Sequence, residues 1–161
     1  MRKAIIVDID NVLMDSRIPD KTQPNVRTDK EAWVKWQPEL AKCKPIEDML
    51  LFIEVLKGYS KGFSTFPEFK IFYITSREST DELLQITRNQ IGYLVSGEPV
   101  LLMRAEGDTR PSAEVKRSLY ESVIKGRYDV MFAIDDLEEN IKMFKSLGIK
   151  TLQFRYGDEK K

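Results

Sequence analysis

Four acidic residues occur as two pairs, each directly after an apolar stretch. Asp8 and Asp10 follow the first such stretch, and Asp135 and Asp136 follow a later one. On an extended strand, side chains two residues apart project to the same side, so Asp8 and Asp10 are expected to face one site. Carboxylates that converge repel one another unless a divalent cation lies among them, and oxygen ligands without His or Cys favour Mg²⁺. The pattern therefore predicts magnesium-assisted chemistry.

Both pairs also have a simpler explanation. Acids at the end of a strand are most often turn formers or helix caps, and Asp136 with Glu139 could begin a helix as N-cap and N3. Asp8, however, follows a stretch that predicts burial, and an unpaired buried carboxylate is costly. A cation partner is therefore favoured for Asp8, while metal binding and helix capping both stay open for Asp135 and Asp136.

Hydroxyl groups and cations follow the other apolar stretches. They are Thr75, Ser76, Arg77, Arg104, Arg110 and Lys116. A carboxylate such as Asp8 can attack phosphorus, and a second one such as Asp10 can protonate the leaving oxygen and then activate water. The Thr75 hydroxyl and the Lys116 ammonium would bind phosphoryl oxygens and offset developing charge. Each residue alone is more often a cap or a solvated surface group; their joint position after strands favours a site.

The elements that would position these groups alternate in type. Continuous apolar strands are predicted over 3–9, 69–74, 100–103, 130–134 and 151–154. Helices are predicted over 45–56 with an end at Gly58, over 79–93 with a capping box at Ser79, over 112–125 and over 137–147. This alternation predicts a doubly wound α/β fold: a central parallel sheet of about five strands, helices on both faces and no large cap domain.

Residues 15–44 depart from that alternation. They are polar, contain Pro19, Pro24 and Pro38, and include Trp33 and Trp36. A long excursion after the first strand predicts a loop that faces the substrate and holds one short helix. The tryptophans, spaced three apart, favour a core or helix-face position over a stacking surface for a base. The length of the chain predicts one domain over 1–161.

Composition excludes several kinds of chemistry. The chain has 161 residues, with 26 basic and 26 acidic side chains and no His, so Ser-His-Asp catalysis and imidazole zinc sites are ruled out. Zero formal charge argues against binding nucleic acid by bulk positive charge but permits a local basic patch. Cys43 cannot form an internal disulfide, and neither a signal peptide nor a membrane span is evident, so a cytoplasmic protein without membrane contact is expected.

The ordered set Asp8-x-Asp10, Thr75, Lys116 and Asp135-Asp136 resembles the four motifs of the haloacid dehalogenase superfamily of phosphohydrolases, over nearly the whole chain. Within that superfamily the chain is most similar to the 3′-phosphatase domain of bacteriophage-type polynucleotide kinase. The stretches that carry this similarity are Thr75-Ser76-Arg77-Glu78-Ser79, Met103 to Arg110 with Lys116, Ala133-Ile134-Asp135-Asp136 and Gly157-Asp158.

The resemblance implies a role for each matching position. Asp8 would be the nucleophile and Asp10 the general acid and base, while Thr75 and Lys116 would hold the phosphate. Mg²⁺ would be bound by Asp8, Asp10 through its carbonyl, Asp136 and, as a second candidate, Asp135. Substrate contacts would come from Asn11, Ser76, Arg77, Arg104 and Arg110, and Arg17 is a weaker match to a further family arginine.

The sequence departs from the family pattern at two site positions. Asn11-Val12 replaces the usual Gly-Thr, which removes a hydroxyl that can orient the acid/base, and Ser112 replaces an expected acid. This sequence also lacks a Gly-rich Lys-Ser/Thr nucleotide-binding loop, so no kinase activity is expected from it.

The resemblance implies a magnesium-dependent phosphomonoester hydrolase that removes 3′-phosphates from polynucleotide ends through an aspartyl-phosphate. Two alternatives are a phosphatase for small metabolites such as a deoxynucleotide and a non-catalytic binding module on the same fold. Retention of both Asp8 and Asp10 argues against the binding module.

Overall fold

The computed structural model describes residues 1–17, 23–25, 27–62, 68–92 and 99–155. The strands in chain order are β1 (Arg2–Val7), β2 (Met14–Asp15), β3 (Lys44–Pro45), β4 (Phe69–Glu78), β5 (Val100–Arg104), β6 (Tyr128–Asp135) and β7 (Thr151–Gln153). The α-helices are α1 (Lys30–Trp36), α2 (Glu47–Gly62), α3 (Asp81–Gly92), α4 (Ser112–Leu119) and α5 (Glu138–Ser146). A 3₁₀-helix (Gln37–Lys42) follows α1, and a π-helical turn (Tyr120–Ile124) follows α4.

The central sheet has five parallel strands in the order β5-β4-β1-β6-β7 within the described residues. The chain moves outward from β1 to β4 and β5, then returns to add β6 and β7 on the other side of β1. In such sheets ligands bind beyond the carboxyl ends of the strands, where the strand order reverses. Asp8 follows β1 and Asp135 ends β6, so the two lie at that reversal. The predicted doubly wound α/β fold is confirmed.

Alternating side chains of the sheet build two cores, one on each face. Ile5 and Val7 pack in one cluster with residues of α2 and α3, such as Ile53 and Leu83. The intervening residues of β1 pack in the other cluster with residues of α5, such as Phe144. Burial of each large aliphatic side chain stabilises the fold by roughly 1.5–3 kcal/mol. Both faces of the sheet are therefore covered.

Two predicted helix boundaries are wrong. Helix α2 does not stop at Gly58 but continues to Gly62, because a glycine inside a helix costs only about 0.5–1 kcal/mol. Helix α3 is capped one residue later than expected: the Thr80 hydroxyl accepts from the Leu83 amide at 3.3 Å. Ser79 lies before the cap, and its amide donates to the Arg104 carbonyl of the sheet at 2.8 Å. The predicted end at Tyr93 lies outside the described residues.

The helices after β5 and β6 end at glycines, as predicted. Gly126 and Gly148 have φ values of 77° and 78°, in the left-handed region where a side chain would be strained. The helix predicted over 112–125 is divided, with α4 followed by the π-helical turn. This keeps Lys116 in the first turns of a regular helix that begins at the cavity described below.

The excursion after β1 is closed at its base by a short antiparallel ribbon, in which Met14 pairs with Pro45 and Asp15 with Lys44. It contains α1 and the 3₁₀-helix, while residues 18–22 and 26 lie outside the description. Trp33 and Trp36 stack with their ring centroids 5.7 Å apart and are buried, which confirms the core interpretation. In the part of the chain that is described, no helix has the length and apolarity needed to cross a membrane.

Candidate active site

A cavity of about 380 Å³ lies at the carboxyl ends of the central strands. The predicted site residues that line it are Asp8, Asp10, Asn11, Ser76, Arg77, Arg104, Lys116 and Asp136. Thr75 and Asp135 are fully buried directly behind it, in contact with lining residues. Arg110 is not among the lining residues and pairs with Asp108 at 2.7 Å. The sheet thus brings the predicted residues to one place, except Arg110 and the weaker match Arg17, which pairs with Asp15 at 2.8 Å and is not among the lining residues.

The Lys116 ammonium bridges two buried carboxylates. Its Nζ lies 2.8 Å from Asp8 Oδ1 and 2.7 Å from Asp135 Oδ2, and all three side chains are buried. Burial opposes the charge of Lys116, but the Asp135 and Asp8 carboxylates outweigh it and raise the pKa of the ammonium. Lys116 is therefore a fixed positive charge at the floor of the cavity.

Asp8 is fixed by β1 and faces several other acids. Its amide donates to the Ile134 carbonyl at 3.0 Å, which extends the pairing of β1 with β6 by one residue. Burial, followed by repulsion from Asp135, Asp136 and Asp10, raises the pKa of Asp8 well above its usual range despite the nearby Lys116. This environment favours a further positive charge next to Asp8.

Asp135 has no free carboxylate oxygen. Oδ2 accepts from Lys116, while Oδ1 accepts from the Leu137 amide at 3.1 Å and from Asn140 Nδ2 at 2.8 Å. These contacts hold the start of α5, where Leu137 and not Asp136 occupies the N-cap position. Asp135 thus contributes to the start of α5 by accepting from the Leu137 amide. Asp136 is not the N-cap of this helix.

Three carboxylates could hold a metal ion together. One oxygen from each of Asp8, Asp135 and Asp136 lies within 4.8 Å of the others. Asp136 accepts one described side-chain hydrogen bond, from Asn11 Nδ2 at 3.2 Å, and burial and the adjacent Asp135 raise its pKa. An all-oxygen cluster with this excess of negative charge suits a hard divalent cation. The Asp10 carboxylate is not part of the cluster.

Asn11 shapes the turn that follows the first aspartate pair. Its φ of 57° lies in the left-handed region, which Asn adopts more readily than most residues. Its Oδ1 accepts from the Ser16 amide at 3.2 Å and the Ser16 hydroxyl at 2.9 Å, while its Nδ2 reaches Asp136. Asn11 therefore links the turn after β1 to the end of β6.

Asp10 is oriented by Arg77 and Thr75. The Arg77 guanidinium donates from Nη2 to Asp10 Oδ1 at 2.7 Å and from Nε to Oδ2 at 3.0 Å, a two-pronged contact. The Thr75 hydroxyl donates to the same Oδ2 at 3.3 Å and accepts from the Arg77 amide at 3.2 Å. Val12 has no hydroxyl to orient Asp10, the expected acid/base, but Arg77 and Thr75 hold its carboxylate in place. A phosphate contact by Thr75 stays a prediction.

Two residues that sequence reasoning missed hold Arg77 in turn. Thr87 Oγ1 and Gln90 Oε1 accept from Arg77 Nη1 at 3.1 Å and 2.6 Å, and Gln90 Nε2 donates to the Leu40 carbonyl at 2.7 Å. Their spacing of three places both on one face of α3. The sequence spacing shows that Thr87 and Gln90 share a helix face, but it does not show that Arg77 is their partner.

Arg104 supports the loop that precedes α4. Its guanidinium donates to the backbone carbonyls of Ser76 at 2.7 Å, Asp108 at 2.9 Å and Arg110 at 2.7 Å. The hydroxyls of Ser76 and Ser112 lie 2.6 Å apart. At the position where the family pattern has an acid, Ser112 therefore makes a hydrogen bond between two neutral groups. The substrate-binding roles of Asn11, Ser76, Arg77, Arg104 and Arg110 stay predictions.

Replacement of Arg77 by Lys is expected to lower kcat/KM about 10- to 100-fold on a phosphate ester with a poor leaving group. Lys offers a point charge where Asp10 now has a two-pronged contact, so Asp10, the expected acid/base, loses its orientation. p-Nitrophenyl phosphate needs little proton donation to its leaving group, so its kcat/KM should fall much less. The measurement is the ratio of kcat/KM on the two substrates, because kcat/KM reports the steps up to release of the leaving group.

Arg104→Lys is the matched control for this prediction, because Arg104 is another buried arginine that does not contact Asp10. It should not change the ratio. An equal loss on both substrates in Arg77→Lys would mean that Arg77 acts only on the stability of the fold.

A Rossmann-like sheet that presents this set of aspartates beside a lysine defines a phosphatase of the haloacid dehalogenase class. The chain belongs to the family of polynucleotide kinase PNKP phosphatase domains, whose model matches residues 57–158, more than half of the chain. That range includes Thr75, Lys116, Asp135 and Asp136, and Asp8 and Asp10 lie before it.

Solved structures share the fold. Two structures of the Pnkp1/Rnl/Hen1 complex, an RNA repair complex, contain chains with TM-scores of 0.70 and 0.72 and identities of 22% and 21%, each over 98% of this chain. This chain corresponds to 47% and 44% of those chains, less than half of their length. A haloacid dehalogenase-like hydrolase from Streptococcus pneumoniae has a TM-score of 0.61 and 13% identity, over 97% of this chain and 86% of its own.

Proposed function

We propose that this chain is a magnesium-dependent phosphatase that removes 3′-phosphates from polynucleotide ends through an aspartyl-phosphate on Asp8. The observation that carries the proposal is the placement of Asp8 against Lys116, at 2.8 Å, with Asp10 oriented separately by Arg77 in the same cavity. A nucleophile and an acid/base in different environments are what a two-step phosphoryl transfer requires.

In the first step, an Asp8 oxygen attacks phosphorus as the bond from phosphorus to the leaving oxygen breaks. Asp10 donates a proton to that oxygen, which leaves as the free hydroxyl of the nucleotide. In the second step, Asp10 takes a proton from water as the water oxygen attacks phosphorus, which releases inorganic phosphate and restores Asp8. Lys116 offsets the negative charge that gathers on the phosphoryl oxygens.

Asp8 and Asp136 are the proposed carboxylate ligands of Mg²⁺, with the Asp10 carbonyl as a further ligand. Asp135 is less available because three groups already donate to it. When bound, the cation would neutralise charge on the phosphoryl group and on the attacking carboxylate.

Two observations support a polynucleotide end as the substrate. The matching family is that of polynucleotide kinase phosphatase domains, and two structural relatives are part of an RNA repair complex. The balance of 26 basic and 26 acidic side chains suits a small contact at a terminus better than a long duplex footprint. A cytoplasmic location, expected from the sequence, is part of this proposal.

The substrate proposal is tested by comparing kcat/KM for a 3′-phosphorylated oligonucleotide, a 3′-mononucleotide and a 5′-mononucleotide. The oligonucleotide is expected to be the best substrate and the 5′-mononucleotide the worst. Equal values on all three would remove the polynucleotide assignment in favour of a small-molecule phosphatase.

Removal of divalent cations is expected to abolish hydrolysis of p-nitrophenyl phosphate, and added Mg²⁺ should restore it. The same addition should raise the unfolding temperature of the wild-type chain, since a cation relieves repulsion among Asp8, Asp135 and Asp136. Asp136→Asn should reduce both responses. Full activity in excess chelator would contradict the metal assignment.

A further inference from the structure

The lining of the cavity comes from two parts of the chain. Asp8, Asp10 and Lys116 lie at the carboxyl ends of the sheet, while Arg27, Trp33 and Trp36 belong to the excursion after β1 and are here called the second wall. A phosphoryl group held at Asp8 would fill only part of a cavity of about 380 Å³. The second wall is therefore available to contact the part of the substrate that carries the phosphate.

Arg27 differs from the other cations that line the cavity. Arg77 pairs with Asp10, Lys116 with Asp8 and Asp135, and Arg104 donates to three backbone carbonyls. The Arg27 side chain is exposed, and no described residue accepts a hydrogen bond from its guanidinium. Its backbone amide alone is held, by Asn25 Oδ1 at 2.9 Å. Among the described lining residues, Arg27 is thus the cation left free for a ligand.

Trp33 and Trp36 line the same part of the cavity. Their rings stack on each other, both side chains are at most 7% exposed, and their indole nitrogens are buried without a hydrogen-bond partner among the described residues. Next to Arg27, the second wall therefore combines a small apolar surface with one positive charge.

We propose that Arg27 binds the phosphodiester next to the terminal nucleotide, while the scissile 3′-phosphate lies at Asp8. This inference rests on the proposed function and makes it specific: the site would select a chain of at least two nucleotides over a mononucleotide. A guanidinium fork matches the two free oxygens of a phosphodiester. The terminal sugar and base would lie in the cavity between the two phosphates.

The test compares Arg27→Gln with the wild type on a 3′-phosphorylated dinucleotide and on a 3′-mononucleotide. The ratio of kcat/KM for dinucleotide to mononucleotide is expected to fall about tenfold in the variant, the usual effect of one charged hydrogen bond. Arg2→Gln is the matched control, since Arg2 is an exposed arginine at the amino end of β1. It should leave the ratio unchanged.

A dinucleotide with a neutral methylphosphonate linkage tests whether Arg27 acts on the charge of the phosphodiester. The wild type should discriminate against it about tenfold relative to the natural linkage, and Arg27→Gln should not discriminate. An unchanged ratio of kcat/KM in Arg27→Gln would overturn the role of Arg27 but not the proposed function. Failure of the wild type to hydrolyse either 3′-phosphate while it hydrolyses p-nitrophenyl phosphate would overturn the polynucleotide substrate, and this proposal with it.

Discussion

Replacement of Asp8 by Asn is expected to lower phosphatase turnover by roughly 10⁴- to 10⁶-fold, the usual loss when a covalent nucleophile is removed. Asn has the shape of Asp but a neutral amide that does not attack phosphorus. The fold should persist, because Lys116 keeps its contact with Asp135 at 2.7 Å. The loss of one carboxylate also relieves repulsion with Asp135 and Asp136, so the unfolding temperature in metal-free buffer should not fall.

The decisive measurement is a covalent label rather than a rate alone. Acid quenching of the wild type during turnover of a labelled p-nitrophenyl phosphate should trap phosphate on the protein, and Asp8→Asn should trap none. Asp10→Asn is the matched control: it keeps the proposed nucleophile, Asp8, but lacks the proposed base that activates water. It should accumulate the label, since p-nitrophenolate leaves without a proton. Undiminished turnover of Asp8→Asn would contradict the mechanism.

The architecture could be predicted because buried strands leave a strong local signal. The apolar stretches before Asp8 and Asp135 identify β1 and β6, and the carboxyl ends of parallel strands meet at one edge. Boundaries were harder to predict, since they depend on tertiary contacts. Helix α2 continues past Gly58, and the N-cap of α3 is Thr80, while the preceding Ser79 is still bonded to Arg104 of the sheet.

The partners within the site could not be predicted, because they join residues far apart in sequence. Arg77 and Asp10 are 67 residues apart, and the contact depends on how β4 and α3 are rotated relative to the turn after β1. A phosphate contact is the sequence-based expectation for Lys116, but its bridge between Asp8 and Asp135 depends on the position of α4 over the sheet. Arg27 belongs to no motif, and only the structure shows that it lines the cavity without a side-chain partner among the described residues.

Replacement of Lys116 by Met is expected to destabilise the fold by about 3–5 kcal/mol, because it leaves Asp8 and Asp135 buried without their shared cation. For a chain of this size, the unfolding temperature should fall by roughly 6–20 °C. Lys142→Met is the control: Lys142 pairs with Glu138 at the surface, where such a contact is worth less than about 1 kcal/mol. A fall no larger than that of the control would contradict the bridging role.

Lys116→Met should also lower kcat about 10²- to 10³-fold, since a fixed charge near the phosphoryl oxygens is lost. The two effects separate in the double variant Lys116→Met with Asp135→Asn. Removal of the Asp135 charge leaves one uncompensated carboxylate instead of two, so the unfolding temperature should recover in part, and added Mg²⁺ should raise it further. Activity should not recover, because the neutral amide introduced by Asp135→Asn supplies no positive charge. The double variant thus distinguishes two proposed roles of the same ammonium: it neutralises two buried carboxylates in the folded chain, and it places a positive charge near the phosphoryl oxygens.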